Sequence, residues 1–375
     1  IMDSMAWTKF YCLIWLVYIF SCKKVYLQDI KDVINSYDHF DIMKLMKGGK
    51  FMIGINDPKS DTGEYPVRMT EVKPFYMDIY PVTVSQMWKF KQRKKKYKTT
   101  AEKKGFSWVL SKFVPDDIKL NWASESPERG WLAVKGAMWS RPEGPGSSIR
   151  KRLDYPVVHL SYNDAKVLCE TMGKRLPTED EWEFAARGGL QGLQYPWGDK
   201  FKKMRMNTWQ GQFPDEDQGN DQWVGLSPVY AYGPQNNFSM YNMLGNVWEW
   251  TSTKYYDRVV DRSLQELRYV LKGGSYLDTR DGSYNYVVRT SNRMGQAPDY
   301  TAHNVGVRCA ASAPHLVKRP RQPREEDEKK KPLSTPRPPR LHKLSEMAFP
   351  PTGIKEREKQ ESKWKSGRRW HGEEL

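Results

Sequence analysis

No run in this 375-residue sequence is both apolar and long enough to cross a bilayer. The most apolar stretch, Phe10 to Phe20 behind Lys9, holds about eleven residues where a membrane helix needs about 18–20. That length suits the apolar region of a secretory signal peptide ending near Ser21, with an uncleaved N-terminal anchor as the alternative. Cysteine is scarce: of four, Cys12 and Cys22 fall in this N-terminal stretch, which leaves Cys169 and Cys309 for the rest of the chain. Helix-turn-helix, zinc-finger and RNP patterns are missing, so the formal charge of +16 does not indicate a nucleic-acid partner. The charge is local instead. Ser312 to Leu375 carries 17 Lys/Arg against 10 Asp/Glu, and a second basic block, Lys89 to Lys104, reads as an exposed helix and loop. There is no internal repeat. What the chain has in excess is aromatic: 15 Trp and 21 Tyr beside 27 Gly and 24 Pro, the mixture of an irregular, loop-rich globule rather than a helical bundle.

The length fits one core of about 260 residues with an extension at each end. Residues 1–22 read as the signal or apolar segment, 23–46 as a polar lead-in, 47–313 as the globular domain and 314–375 as a basic tail. Abundant Lys, Arg, Glu and Pro with few large apolar residues predict that the tail is disordered. A first strand is expected just after Lys47-Gly48-Gly49, and a second pattern runs from Val72 to Pro81. Pro127 to Arg152, rich in Pro, Gly and Trp without a period, is expected to be a long loop over the core. Ser161 and Asp164 have capping-box spacing and open a helix that Gly173 closes. Thr178 and Glu181 repeat the device for a second helix, ended by Gly188-Gly189. From Tyr195 to Thr253 almost nothing is periodic, and strands return at Tyr269–Gly273, Tyr286–Thr290 and Val305–Cys309.

Five motifs stand in order along this domain: Arg175-Leu176-Pro177-Thr178-Glu179, Trp182 to Gly189, Tyr195-Pro196-Trp197-Gly198, Leu244 to Trp250, and Asn304 to Cys309. With the turn Gly273-Gly274-Ser275-Tyr276, they resemble the formylglycine-generating enzymes of the sulfatase-modifying factor family over about residues 47–313, and most closely the family's non-catalytic paralogues. The resemblance implies an α+β fold of the formylglycine-generating-enzyme type, related to C-type lectin-like folds and poor in regular secondary structure. Those enzymes oxidise a sulfatase cysteine with two reactive cysteines that follow the Gly-Gly-Ser-Tyr turn. Here the two positions are Asp278 and, across a short insertion around Asp281-Gly282, Asn285. A carboxylate and an amide supply neither a thiolate nor soft ligands for copper, so no catalysis and no copper are expected. Trp248, Ser275 and Arg289 would still line, with Asp278 and Asn285, a vestigial groove for a sulfatase peptide. Asp278 could act as an acid or base, but the sequence supplies no histidine partner or redox centre; His303, the nearest histidine in the chain, is expected to cap a turn.

The resemblance also implies two calcium sites. Asn207, Thr208, Asp221 and Trp223 would form the first, with Thr208 and Trp223 giving backbone carbonyls. Asn242, Gly245, Val247 and Glu249 would form the second, with side-chain oxygen from Asn242 and Glu249. One carboxylate in each shell implies modest affinity, suited to a calcium-rich lumen; the alternative is that these side chains satisfy loop backbone groups. Cys169 and Cys309 are implied to be disulfide-bonded, two free buried thiols being the alternative, while a second family disulfide would need cysteines at Ala186 and Thr290. Asn237-Phe238-Ser239 is a glycosylation sequon, and the terminal Glu374-Leu375 is reminiscent of lumenal retention signals. The resulting expectation is an inactive paralogue in the endoplasmic reticulum lumen. It would modulate, and more specifically inhibit, sulfatase activation by binding the active formylglycine-generating enzyme, sulfatases or both, with a homodimer as a further possibility. A lectin-like binding module and an enzyme with altered chemistry on the same scaffold are the alternatives.

Overall fold

The computed structural model describes residues 40–60, 62–125, 130–256, 263 and 265–313. The N-terminal apolar segment with Cys12 and Cys22, most of the lead-in, and the basic tail lie outside the described residues.

Short strands are brought together from distant parts of the chain. β1 (Met43–Met46), β4 (Phe75–Asp78) and β12 (Ala310–Ser312) form an antiparallel sheet with β4 in the middle, so the two ends of the domain close on one strand. β2 (Gly49–Ile53) pairs with β3 (Arg68–Val72), and Lys73-Pro74 then separates β3 from β4 where one continuous strand pattern was expected. β5 (Phe106–Leu110), β6 (Ala123–Glu125) and β7 (Trp131–Lys135) form a third sheet in the order β5-β7-β6. The fourth has the order β10-β9-β8-β11, from β8 (Trp248–Tyr255), β9 (Arg268–Lys272), β10 (Arg293–Gln296) and β11 (Val305–Gly306); β11 runs parallel to β8.

The helices begin where side-chain caps put them. α1 (Val84–Arg93) starts at Thr83, with a capping box to Gln86, and α2 (Thr100–Lys104) starts at Thr99, with one to Glu102. α3 is the short helix Asp116–Trp122. α4 (Tyr162–Thr171) has the expected Ser161–Asp164 box, and α5 (Glu179–Arg187) the expected Thr178–Glu181 box. α5 stops at Gly188 in the left-handed region, where a Cβ would also stand 2.6 Å from the Asn236 Cβ. Trp182, Trp248 and Trp250 are fully buried, and two of their indoles are satisfied: Trp182 Nε1 donates to Glu249 Oε2 at 2.7 Å and Trp250 Nε1 to the Leu160 carbonyl at 2.9 Å. Cys169 of α4 is disulfide-bonded to Cys309, next to β12, across 140 residues of sequence. A cross-link over a loop of that size stabilises by about 4–5 kcal/mol if the effect is chain entropy.

Three expectations change. The domain takes in β1 and the buried Phe40, so the polar lead-in ends before Lys47. Pro127 to Arg152 is not all loop, because Trp131–Lys135 is the central strand between β5 and β6. Tyr286–Thr290 is not a strand; Val287 makes one isolated bridge to Thr279, and the ladder partner of β9 is instead Arg293–Gln296. The hydrogen bonds of Tyr286 and its neighbours go to the turn described next.

Candidate functional site

β9 delivers the chain to Gly273 and Gly274, both at positive φ (104° and 71°). A Cβ on Gly273 would lie 2.9 Å from the Met243 carbonyl oxygen and 3.1 Å from the Trp182 ring, so only glycine lets the turn pass this close to the core. Ser275, Tyr276, Leu277 and Asp278 follow as a fully buried turn. The Asp278 carboxylate is its hub. Oδ2 accepts from the Ser275 backbone N–H and hydroxyl, each at 2.7 Å, and Oδ1 accepts from the Tyr286 N–H at 3.0 Å. The Ser275 hydroxyl oxygen also accepts from Asn304 Nδ2 at 3.2 Å. Burial pushes the Asp278 carboxyl up to about 6, against the hydrogen bonds that favour its ionised form.

Asn285 lies at the surface with φ 60°, a conformation Asn tolerates better than most residues. Its Nδ2 donates to the Leu277 carbonyl at 2.7 Å. Asp278 and Asn285 therefore each bind the other's neighbour, and together they staple the Gly-Gly-Ser-Tyr turn to the segment beyond Asp281-Gly282. Trp248 is buried beside them, its ring edge-on to Tyr286 at 5.2 Å. Arg289 is engaged with the N-terminal part of the domain: it pairs with Glu64 and with Asp57 Oδ2 at 3.1 Å. Of the five residues assigned to the groove, Trp248, Ser275 and Asp278 are buried, and only Asn285 and part of Arg289 face solvent.

His303 does not cap a turn. It is buried, with Nδ1 2.7 Å from the Tyr276 hydroxyl and Nε2 3.4 Å from Glu143 Oε1, the latter an ion-pair contact without hydrogen-bond geometry. Burial raises the Glu143 carboxyl, but His303 and Arg152 outweigh it and hold the group at about 2. His159 lies 5.5 Å from His303, ring to ring; burial and that neighbour push it down to about 3. This cluster is adjacent to the turn, and nothing in the sequence around Glu143 or His159 signals it.

The two sets of proposed cation ligands touch. The Asn246 N–H donates to the Asn207 carbonyl at 2.9 Å, and a Cβ on Gly245 would stand 2.3 Å from that same oxygen. In the first set, Asp221 is buried and accepts from the N–H groups of Thr208 (2.9 Å) and Trp223 (3.0 Å), which brings all three together. Burial raises Asp221 to about 6, and the charge of Asp217 adds to the shift. Asp217 is raised to about 6 by its own burial. Neither carboxylate is in an ion pair among the described residues, although the charge of Lys112 acts on Asp217, and a hard cation would fit the negative charge of this loop. Asp217, four residues before Asp221 in the sequence, lies outside the set that the family resemblance implies. In the second set, Asn242 Oδ1 is buried without a hydrogen-bond partner, an acceptor that a cation would satisfy. Glu249 is differently placed: its carboxylate accepts from Arg308 Nε and Nη2, both at 2.8 Å, and from Trp182 Nε1. Of the second set, Asn242 Oδ1 is thus the acceptor left open, while the Glu249 charge is already balanced by Arg308. Asn237 and Ser239 of the sequon are exposed.

The profile of the sulfatase-modifying factor enzyme 1-like domain matches residues 34–313. The chain is 48% identical over 273 residues to a Bos taurus protein named inactive C-alpha-formylglycine-generating enzyme 2, covering 72% of this chain and 88% of that one. It is 42% identical over 278 residues to the Mus musculus formylglycine-generating enzyme, covering 70% and 73%. Among solved structures, PvdO from Pseudomonas aeruginosa shares the fold, with a TM-score of 0.51 at 21% identity over 72% of this chain and 94% of that one.

Proposed function

The chain belongs to the sulfatase-modifying factor family, and we propose that within it this protein is a catalytically inactive paralogue that lowers sulfatase activation by binding the active formylglycine-generating enzyme, its sulfatase clients or both. The carrying observation is the Asp278–Asn285 staple. At the two positions where the family's enzymes are expected to hold reactive cysteines, this chain has side chains spent on structural hydrogen bonds. A buried carboxylate that accepts three hydrogen bonds is neither a nucleophile nor a redox group, and Ser275, its donor, is equally buried. The similarity to a relative named inactive supports the same reading. Surface recognition needs no thiol, so the solvent face around Asn285 and Arg289 can keep a binding role after catalysis is gone.

The lumen of the endoplasmic reticulum is the compartment that this function requires, and the Cys169–Cys309 disulfide is consistent with an oxidising one. Calcium is the cation that suits the two ligand sets: hard oxygen donors from Asn207, Thr208, Asp221 and Trp223 at the first, and from Asn242, Gly245, Val247 and Glu249 at the second. Its role there is to hold the two loops in register. The first site is the tighter one, because its carboxylate is not already paired. Asn237 is open to glycosylation, and a homodimer is a further form in which the binding face could be presented.

The test is formylglycine formation in a co-expressed sulfatase, with this protein alone and with the active enzyme added. No product alone and less product with the enzyme present are expected. Product from this protein alone would overturn the reading of Asp278 and Asn285.

A further inference from the structure

We propose that the cationic turn between α1 and α2 is a binding surface for a sulfated polysaccharide of the heparin type. Arg93, Lys94, Lys95, Lys96 and Lys98 are all exposed within six consecutive positions. Among the described residues, the ion pairs of this segment belong to its flanks: Lys91 with Glu102 at 3.0 Å and Lys104 with Asp299 at 2.7 Å. The other nearby acid, Asp164, is spent on the Tyr97 hydroxyl at 2.8 Å and the Thr100 N–H. Five cations are thus left facing water with no acidic neighbour to neutralise them. The negative end of the α1 dipole accounts for Arg93 and Lys94 and falls off before Lys95, Lys96 and Lys98.

The turn is built, not loose. The Tyr97 N–H donates to the Lys94 carbonyl at 2.9 Å, and Lys91 Nζ donates to the Tyr97 carbonyl at 2.6 Å. The Tyr97 ring packs edge-on against Phe90 at 5.3 Å, and the Thr99 capping box fixes the entry to α2. The backbone that carries these charges is therefore fixed, and the turn's own ring, Tyr97, is spent on packing against Phe90.

That arrangement narrows the partner. None of the large exposed apolar side chains lies between residues 89 and 105, so the surface offers no anchor for a peptide and nothing to insert into a bilayer. Tyr97 is packed on one side and approached by Lys103 at 5.6 Å, so no free ring is left to stack on a nucleobase. Dense, permanently charged anions along a flexible chain are what remain. Sulfate groups on a polysaccharide meet point-charge ammonium groups without any groove, and release of condensed counterions supplies the affinity. The inference goes beyond the sulfatase reading and does not depend on it.

The full chain, with and without a heparin octasaccharide, should be footprinted by lysine acylation and mass spectrometry. Lys94, Lys95, Lys96 and Lys98 should be protected several-fold, and Lys200, Lys202 and Lys203 should not. By the counterion-release relation for a dense polyanion, five contacts weaken binding by on the order of 10²–10³-fold between 50 and 200 mM salt. Converting Arg93, Lys94, Lys95, Lys96 and Lys98 together to glutamine should reduce the slope of log affinity against log salt by about four to five. Because the slope is compared between two full-length chains, the basic tail contributes equally to both. Protection confined to lysines beyond residue 313, or an unchanged slope in the variant, would overturn the proposal. Equal protection by duplex DNA or by phosphatidylserine vesicles would overturn the assignment to a polysaccharide.

Discussion

Replacing Asp278 by cysteine should destabilise the fold at pH 5, and the effect should be smaller or close to neutral at pH 8. The carboxylate accepts from the Ser275 N–H and hydroxyl at 2.7 Å and from the Tyr286 N–H at 3.0 Å. A thiol accepts weakly, so two buried backbone N–H groups lose their partners at about 1–3 kcal/mol each. Against that, the variant no longer buries a charge. Burial lifts Asp278 to about 6 from an ordinary value of 3.8. A raised folded-state value is stabilising below the unfolded value and loses that contribution as the pH climbs through 6. At pH 8 the wild type therefore bears the full penalty, about 3 kcal/mol. At pH 5 about 1.4 kcal/mol of it has been recovered by protonation in the folded state, while a buried thiol stays neutral throughout. Urea denaturation of both proteins at the two pH values measures the difference directly, and groups that titrate alike in both cancel. A difference that does not change between pH 8 and pH 5 would refute the reasoning, as would a variant more stable than the wild type at pH 5.

The double variant Asp278→Cys/Asn285→Cys should fall short of full formylglycine formation in a sulfatase peptide, because the insertion expected around Asp281-Gly282 shifts the two positions; mass spectrometry of the peptide reports the yield. Calcium at 100 times its dissociation constant should raise the unfolding free energy by about 2.7 kcal/mol for a single site. Asp221→Asn should abolish the tighter of two phases in calorimetry, and because protons compete for a carboxyl raised to about 6, affinity should fall as the pH drops below that value. Glu249→Gln should cost about 3–5 kcal/mol in chemical denaturation, since it leaves the Arg308 guanidinium buried without the carboxylate that neutralises it.

The sequence carried its information where interactions are local. Ser161 with Asp164 and Thr178 with Glu181 are three residues apart, so their spacing was enough to place two helix starts, and the structure has both capping boxes. The ordered motifs from Arg175 to Cys309 were enough to place the chain in its family, and the pairing of Cys169 with Cys309 followed from that resemblance and is present. Where the partner is remote, sequence pattern failed. Trp131–Lys135 looks like loop because β5, one of its two ladder partners, lies back at Phe106–Leu110, beyond β6 and α3. Tyr286–Thr290 looks like strand because its apolar content is real, but its leading N–H is claimed by the Asp278 side chain.

The identity of the residues at 278 and 285, neither of them a cysteine, is a property of the sequence alone. That Asp278 is a buried hub, that Arg289 is held by Glu64 and Asp57, and that His303 meets Tyr276 and Glu143 rather than capping a turn are facts of tertiary structure. A side chain's chemistry is written in its name; its burial and its partner are set by segments as much as 232 residues away, and those decide whether a carboxylate reacts, binds a cation or holds a turn.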